Sequence, residues 1–210
     1  METPKIDGLI YDAEIVKCIP SKREKKDRRF QYCADWNDFS NMGIACVVAF
    51  DLVKKEPRVF SKGNLGDFQK LVLKRTEIIG FNSSEFDDKL LRANGINVTT
   101  TYDILSQARL AAQRAKPMLY REDRGGYSLN DLAKDNGLGT KLMKGSDAPK
   151  LWQMGMIGQV IDYCLHDVMV SYRLFNRRHK LNISAIDSIV TLKDPKSVEA
   201  ELELARRNNW

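Results

Sequence analysis

The sequence predicts an α/β fold, a mixed central β-sheet flanked by helices on both faces. Three observations carry this. Apolar, strand-like runs at 8–19, 43–53, 57–62 and 77–82 come early in the chain. Segments with helical apolar spacing alternate with strands from 65 onward and end in the longest, 156–180. No internal repeat or low-complexity tract interrupts the series.

Leu9, Ile10, Tyr11, Ile15 and Val16 make 8–19 a strand, and the positive run "PSKREKKDRR" (20–29) breaks it. "GIACVVAFDLV" (43–53) has the pattern of a buried strand, and with "PRVFSK" (57–62) it predicts a hairpin over 41–62. In 65–75, Leu65, Phe68, Leu71 and Val72 share one helical face. "EIIGFN" (77–82) is a short buried strand. The helix predicted over 83–95 has Ser83 or Ser84 as its cap, Phe86, Leu90 and Leu91 as its apolar stripe, and Gly95 as its stop. Residues 98–115 run from a short strand into a helix. The segment 116–128 is a loop with the flexible pair Gly125-Gly126, and 128–137 is a short helix capped by Ser128 and stopped by Gly137. In the long helix, Ile157, Val160, Ile161, Cys164, Val168 and Leu174 lie on or near the buried face. The tail, 181–210, mixes one apolar run with a charged end.

With 210 residues and 43% hydrophobic content, the chain is long enough for one domain with a sizeable core, with or without an appendage. Its 34 Lys+Arg against 28 Asp+Glu give a net charge of +6. Such an excess favours polyanionic partners, nucleic acid or an acidic membrane surface. The four cysteines form no C-x-x-C pair and the two histidines do not cluster with them, which argues against a zinc site and a disulfide framework. No secretory signal is visible, and the longest apolar run, "IACVVAF" (44–50), is too short to span a bilayer. The expectation is a soluble, intracellular (cytoplasmic) protein with no membrane partner.

The chemistry is in the acids. In "LIYDAEIVK" (9–17), Asp12 and Glu14 lie two apart on a strand and so share a face. Two anions there repel, and burial adds a desolvation cost of several kcal/mol per ion. A hard divalent cation offsets both effects, since Mg²⁺ and Mn²⁺ favour carboxylate oxygens. An exposed edge face accounts for the pair equally well. A second acidic point is "FNSSEFDDKLL" (81–91). The helix dipole explains Glu85, Asp87 and Asp88 near a helix start, but Asp87 also directly follows the apolar Phe86, beside the core stripe. A third is Tyr163 and Asp167, four apart on one helix face. A phenol above a carboxylate can orient a water; a boundary Tyr with a surface Asp is the other reading. "GLGTKLMKGS" (137–146) has the composition of a phosphate loop without its spacing or preceding strand.

Taken in order, Asp12-Ala13-Glu14, the Asn82 to Phe86-Asp87 stretch, and Tyr163 with Asp167 resemble the three motifs of the DEDD-type 3′–5′ exonucleases of the ribonuclease H-like superfamily. The resemblance is to the proofreading exonuclease domain of family B DNA polymerases and its stand-alone relatives. Tyr163 marks the DEDDy subclass, because the histidine of the other subclass would fall at Asp162. "YDIL" (102–105), "YSLNDLAKDNGLGTK" (127–141) and "YCLHDVMVSYRLF" (163–175) match in kind. The resemblance implies a ribonuclease H-like exonuclease domain over 1–180, with a basic insertion at about 20–40 and a C-terminal extension at 181–210.

It further implies two divalent cations, Mg²⁺ or Mn²⁺, ~3.5–4 Å apart. Asp12 would bridge them, Glu14 and Asp167 would complete the first, and Asp87 would hold the second. Tyr163 would orient the attacking water, and nucleoside 5′-monophosphates would leave from the 3′ end. Asn82 and Phe86 would touch the terminal nucleotide. In the 116–128 loop, Arg121, Arg124 and Tyr120 or Tyr127 could track a single strand by phosphate contacts and stacking; a solvated connection explains them as well. The expected substrates are single-stranded 3′ ends, DNA ahead of RNA. A replication, repair or RNA-processing protein is the expected kind of partner. Two other readings are a related metal-dependent endonuclease, which would cut circular substrate, and a weak or inactive relative kept for nucleic-acid binding or scaffolding.

Overall fold

The computed structural model describes residues 6–21, 25–121, 125–140 and 142–196. Strands β1 (Gly8–Ile15), β2 (Ile44–Asp51), β3 (Glu56–Phe60), β4 (Glu77–Gly80) and β5 (Tyr102–Asp103) form a five-stranded sheet in the order β3-β2-β1-β4-β5. The β1–β2 and β2–β3 pairs are antiparallel, whereas β1–β4 and β4–β5 are parallel. The sheet is therefore mixed, with β1 at its centre. The β2–β3 hairpin turns on Asp51, whose buried carboxylate accepts from the Val53 and Lys54 N–H groups (3.0 and 3.2 Å) and from Arg75 (3.1 and 2.7 Å).

Helices cover both faces. Helices α1 (Phe39–Met42), α2 (Leu65–Val72) and α3 (Asp87–Ala93) pack on one side; α4 (Ile104–Ala115), α5 (Leu129–Asp135), α6 (Ala148–Gln153) and α7 (Ile157–Asn176) pack on the other. The alternation of β1 sorts its side chains between the two layers. Leu9, Tyr11, Ala13 and Ile15 join Phe68, Leu90 and Leu91, while Ile10 joins Cys46, Val48, Cys164 and Val168. Asp12 and Glu14 have the parity of Ile10, so they face α7. Gly80 closes β4 where a Cβ would sit 2.1 Å from Ser83 Oγ, so any side chain there would displace the turn that follows.

Three elements differ from expectation. The first strand ends at Ile15 rather than at 19, because the register slips between Glu14 and Ile15. Beyond it the chain bridges at Cys18–Tyr32 to the segment that follows. The Gln153 side chain fastens this junction: it accepts from Gln31 N (2.7 Å) and donates to Val16 O (2.9 Å) and Gln31 O (3.2 Å). The helix expected over 83–95 begins at Asp87, with neither Ser83 nor Ser84 as its cap. Ser83 instead meets Thr100 (2.8 Å), and Ser84 donates to Asp103 (2.8 Å). In the tail, β6 (Leu181–Ile183) and β7 (Ser188–Val190) pair as an antiparallel hairpin. Leu181, Ile183, Ile186, Val190 and Leu192 join the core beneath α7. Residues 181–192 are thus part of the same core. Among the described residues, no helix is long and apolar enough to cross a membrane.

Candidate active site

Three elements bring the acids together. β1 is held by ladders on both edges, with Asp12 opposite Val48 and Glu14 opposite Cys46. α7 lies over β1 and buries Tyr163, Cys164 and Asp167. The Cys164 Sγ is 3.4 Å from Asp12 Oδ2, and ligand atoms of Asp12, Glu14 and Cys164 lie within 4.8 Å of one another. Asp87, in the first turn of α3, accepts from the Ala13 N–H at 3.0 Å. Ala13 separates Asp12 from Glu14, so this bond sets the third acid against the first two. The Tyr163 phenol is within hydrogen-bonding reach of Asp167, one turn further along α7.

The electrostatics follow from this crowding. Burial, and then the charge of Asp12, pushes the Glu14 carboxyl well above the usual carboxylate range; Asp167 and Asp87 add to the shift. Burial and Asp12 raise Asp87 in the same way. Burial, then Asp167, Glu14 and Asp12, raises Tyr163, so its phenol keeps its proton at neutral pH. Among the described residues, neither Glu14 nor Asp87 forms an ion pair with a basic side chain. A mutually repelling set of carboxylates, three buried and Asp12 half-buried, fits a hard divalent cation, which would be held by Asp12, Glu14, Asp87 and Asp167.

This arrangement predicts a pH signature in the metal-free protein. A carboxyl whose pKa is raised by folding stabilises the native state below its ordinary pKa. That contribution is lost as pH rises through the folded value, because the unfolded chain ionises first. Glu14→Gln should therefore raise the melting temperature by a few degrees at neutral pH and change it little below about pH 4. Melting curves taken across pH in chelator check this; a variant that parallels wild type at every pH contradicts it.

One cleft reaches the acids and a second reaches Tyr163. One, of about 440 Å³, is walled by Asp12, Asp167, Asn82, Arg109, Tyr127 and Ser128. The other, of about 940 Å³, runs past Tyr163 between α6 and residues 25–32, of which Lys25, Phe30 and Tyr32 line it. At Gly145 a Cβ would stand 3.4 Å from the Tyr163 hydroxyl, so glycine leaves that oxygen uncrowded. Asn82 is exposed and left-handed, with φ 59°. Asp103 holds that turn by accepting from Asn82 N (3.1 Å) and Ser84 N (3.2 Å), while capping α4 at Ser106 N (3.2 Å).

The other sequence candidates are dispersed. Phe86 packs edge-on against Trp36 and Phe39, with centroids 5.8 and 5.6 Å away, outside the smaller cleft. Arg121 donates to the Met118 and Tyr120 carbonyls and walls neither cleft. Arg124 lies outside the described residues. Asp88 points away from the site and meets Tyr11 Oη, Thr100 N and Thr100 Oγ1. Arg109 escaped the sequence reading. The signal for it is a cation on an apolar stripe, four residues after Leu105 and three before Ala112, both buried.

The architecture is that of the ribonuclease H-like class. Residues 118–206 match a family model described as "Predicted 3'-5' exonuclease related to the exonuclease domain of PolB". That stretch contains Tyr163 and Asp167 but not Asp12, Glu14 or Asp87. Among solved structures, the family B DNA polymerase from the hyperthermophilic archaeon Pyrobaculum calidifontis aligns with a TM-score of 0.56 at 15% identity. The alignment covers 83% of this chain and 24% of the polymerase, so the chain spans about a quarter of that protein's length. No curated protein matches the sequence. The chain is similar to PolB-like 3′–5′ exonuclease domains.

Proposed function

We propose that this chain is a metal-dependent 3′–5′ exonuclease of the DEDDy type, releasing nucleoside 5′-monophosphates from single-stranded nucleic acid, DNA ahead of RNA. The observation that carries the reading is the convergence of Asp12, Glu14, Asp87 and Asp167, from the central strand, the α3 start and α7, beside Tyr163. The four carboxylates would hold two Mg²⁺ or Mn²⁺ ions. Such ions, when bound, activate water and stabilise the leaving oxygen of an in-line displacement.

The chain's own part is positioning. The ladder with β2 fixes Asp12 and Glu14, and the Ala13 N–H fixes Asp87. Tyr163 stays protonated and can orient the attacking water toward the scissile phosphate. Tyr163→Phe should slow turnover by about a hundredfold while leaving metal affinity close to wild type. Calorimetric titration with Mn²⁺ beside single-turnover rates checks this; a large loss of metal affinity would give Tyr163 a structural role instead.

The reading itself is tested with linear and circular single-stranded DNA and by identifying the products. Nucleoside 5′-monophosphates from the linear strand only, in Mg²⁺ or Mn²⁺, are expected. Cleavage of the circle would point to an endonuclease, and binding without turnover to a scaffold. A replication, repair or RNA-processing protein would deliver the enzyme to its substrate.

A further inference from the structure

We propose that Arg109 is a substrate-positioning residue whose guanidinium takes a backbone phosphate of the strand entering the Asp12–Asp167 cleft. The proposal rests on the exonuclease reading above and adds the residue that offsets the site's repulsion for its polyanionic substrate.

The helix places the side chain. α4 is capped by Asp103 and buries Ile104, Leu105, Ala108, Ala111 and Ala112. Arg109 sits beside this stripe, so its methylene stem lies along apolar surface while its head reaches the cleft that Asp12 and Asp167 also wall. The Arg109 Nε is buried and has no hydrogen-bond partner. Among the described residues the guanidinium forms no ion pair either. Asp131, another acid in the same wall, is already engaged with Ser128 N and Oγ (3.1 and 2.7 Å).

A buried cationic donor without an acceptor is costly in a finished interior. In a cleft wall, an incoming ligand can complete it. The guanidinium fork matches two oxygens of one phosphate, and it remains charged at every working pH. Asn82, Tyr127 and Ser128 surround it with neutral polar groups suited to sugar and base. Arg109 is thus the cation of this wall among the described residues, close to where a strand must lie to reach the acids.

The test uses a fluorescent single-stranded oligonucleotide in chelator, so that binding is read without cleavage. Wild type, Arg109→Ala and Arg109→Lys are titrated across a salt series, with Mn²⁺-dependent turnover and melting temperature measured alongside. Arg109→Ala should weaken binding about tenfold and lower the slope of log K against log salt by about 0.7, one single-strand phosphate contact. Its KM should rise more than its kcat falls, and its melting temperature should stay close to wild type, because no hydrogen-bond or ion-pair partner among the described residues is lost. Arg109→Lys should restore the slope but only part of the affinity. A strand with one phosphate replaced by a neutral methylphosphonate should penalise wild type and spare Arg109→Ala at a single position.

An active wild type with an unchanged slope in Arg109→Ala overturns the proposal, as does a lower melting temperature with binding intact, which would make Arg109 structural. A wild type that binds with the Arg109-dependent slope but releases no mononucleotide defeats the exonuclease reading and leaves the phosphate contact standing.

Discussion

Asp12→Ala should abolish metal-dependent cleavage and leave the protein at least as heat-stable as wild type. Asp12 lies at the centre of the acid cluster: it is the first neighbouring charge that raises both Glu14 and Asp87, and it also raises Tyr163. Removing it takes away repulsion, and the Cys164 thiol keeps the Asp12 backbone carbonyl as an acceptor at 3.4 Å. Catalysis loses the carboxylate shared by the whole site. A fall in turnover of at least about a thousandfold, roughly 4 kcal/mol of transition-state stabilisation, is the expected result. Calorimetry and single-turnover rates on the same preparation check both halves. Wild-type turnover in the variant would mean that the acids serve another purpose.

The adjacent acids of α3 should separate function from stability. Asp87→Asn keeps an oxygen for the Ala13 N–H but loses the charge. Turnover should fall by about a hundredfold or more, close to 3 kcal/mol, with the melting temperature unchanged or higher. Asp88→Ala should do the opposite. Its carboxylate accepts from the buried Tyr11 hydroxyl and from Thr100 N and Oγ1 (2.9 Å each). The Thr100 hydroxyl keeps Ser83 Oγ at 2.8 Å, but the Thr100 N–H and the buried Tyr11 hydroxyl lose their carboxylate acceptor. At about 1–3 kcal/mol apiece, the variant should melt about 10 °C lower and still cut below its melting point. Denaturation curves and rates at low temperature distinguish the two. The reverse pattern would move the second acidic motif by one residue.

What was legible in the sequence was local. Alternation put Asp12 and Glu14 on one face of a strand, and i,i+4 spacing stacked Tyr163 near Asp167. Both patterns survive folding because they depend only on backbone geometry. Whether the Asp12 face was covered could not be read locally; Glu14 is buried and Asp12 partly so because α7, about 150 residues later, lies across them. Ser83 and Ser84 read as caps by proximity, yet Asp103 and Thr100 engage them from 19 and 17 residues away. The tail hairpin escaped because strands of three residues carry too little alternation to register. Arg109 looked like one of many basic residues until the fold put its unpaired Nε into the wall shared with Asp12 and Asp167.

On the proposed function, the clustered carboxylates hold divalent metal for cleavage from a 3′ end. A 5′-labelled single-stranded DNA oligonucleotide and its RNA equivalent, each with Mg²⁺, Mn²⁺ or chelator, test it beside Asp12→Ala. A ladder shortening from the 3′ end in metal, stronger on DNA, and absent in chelator and in the variant, is the expected result. Binding without a ladder in either metal, or a ladder that persists in Asp12→Ala, would contradict it.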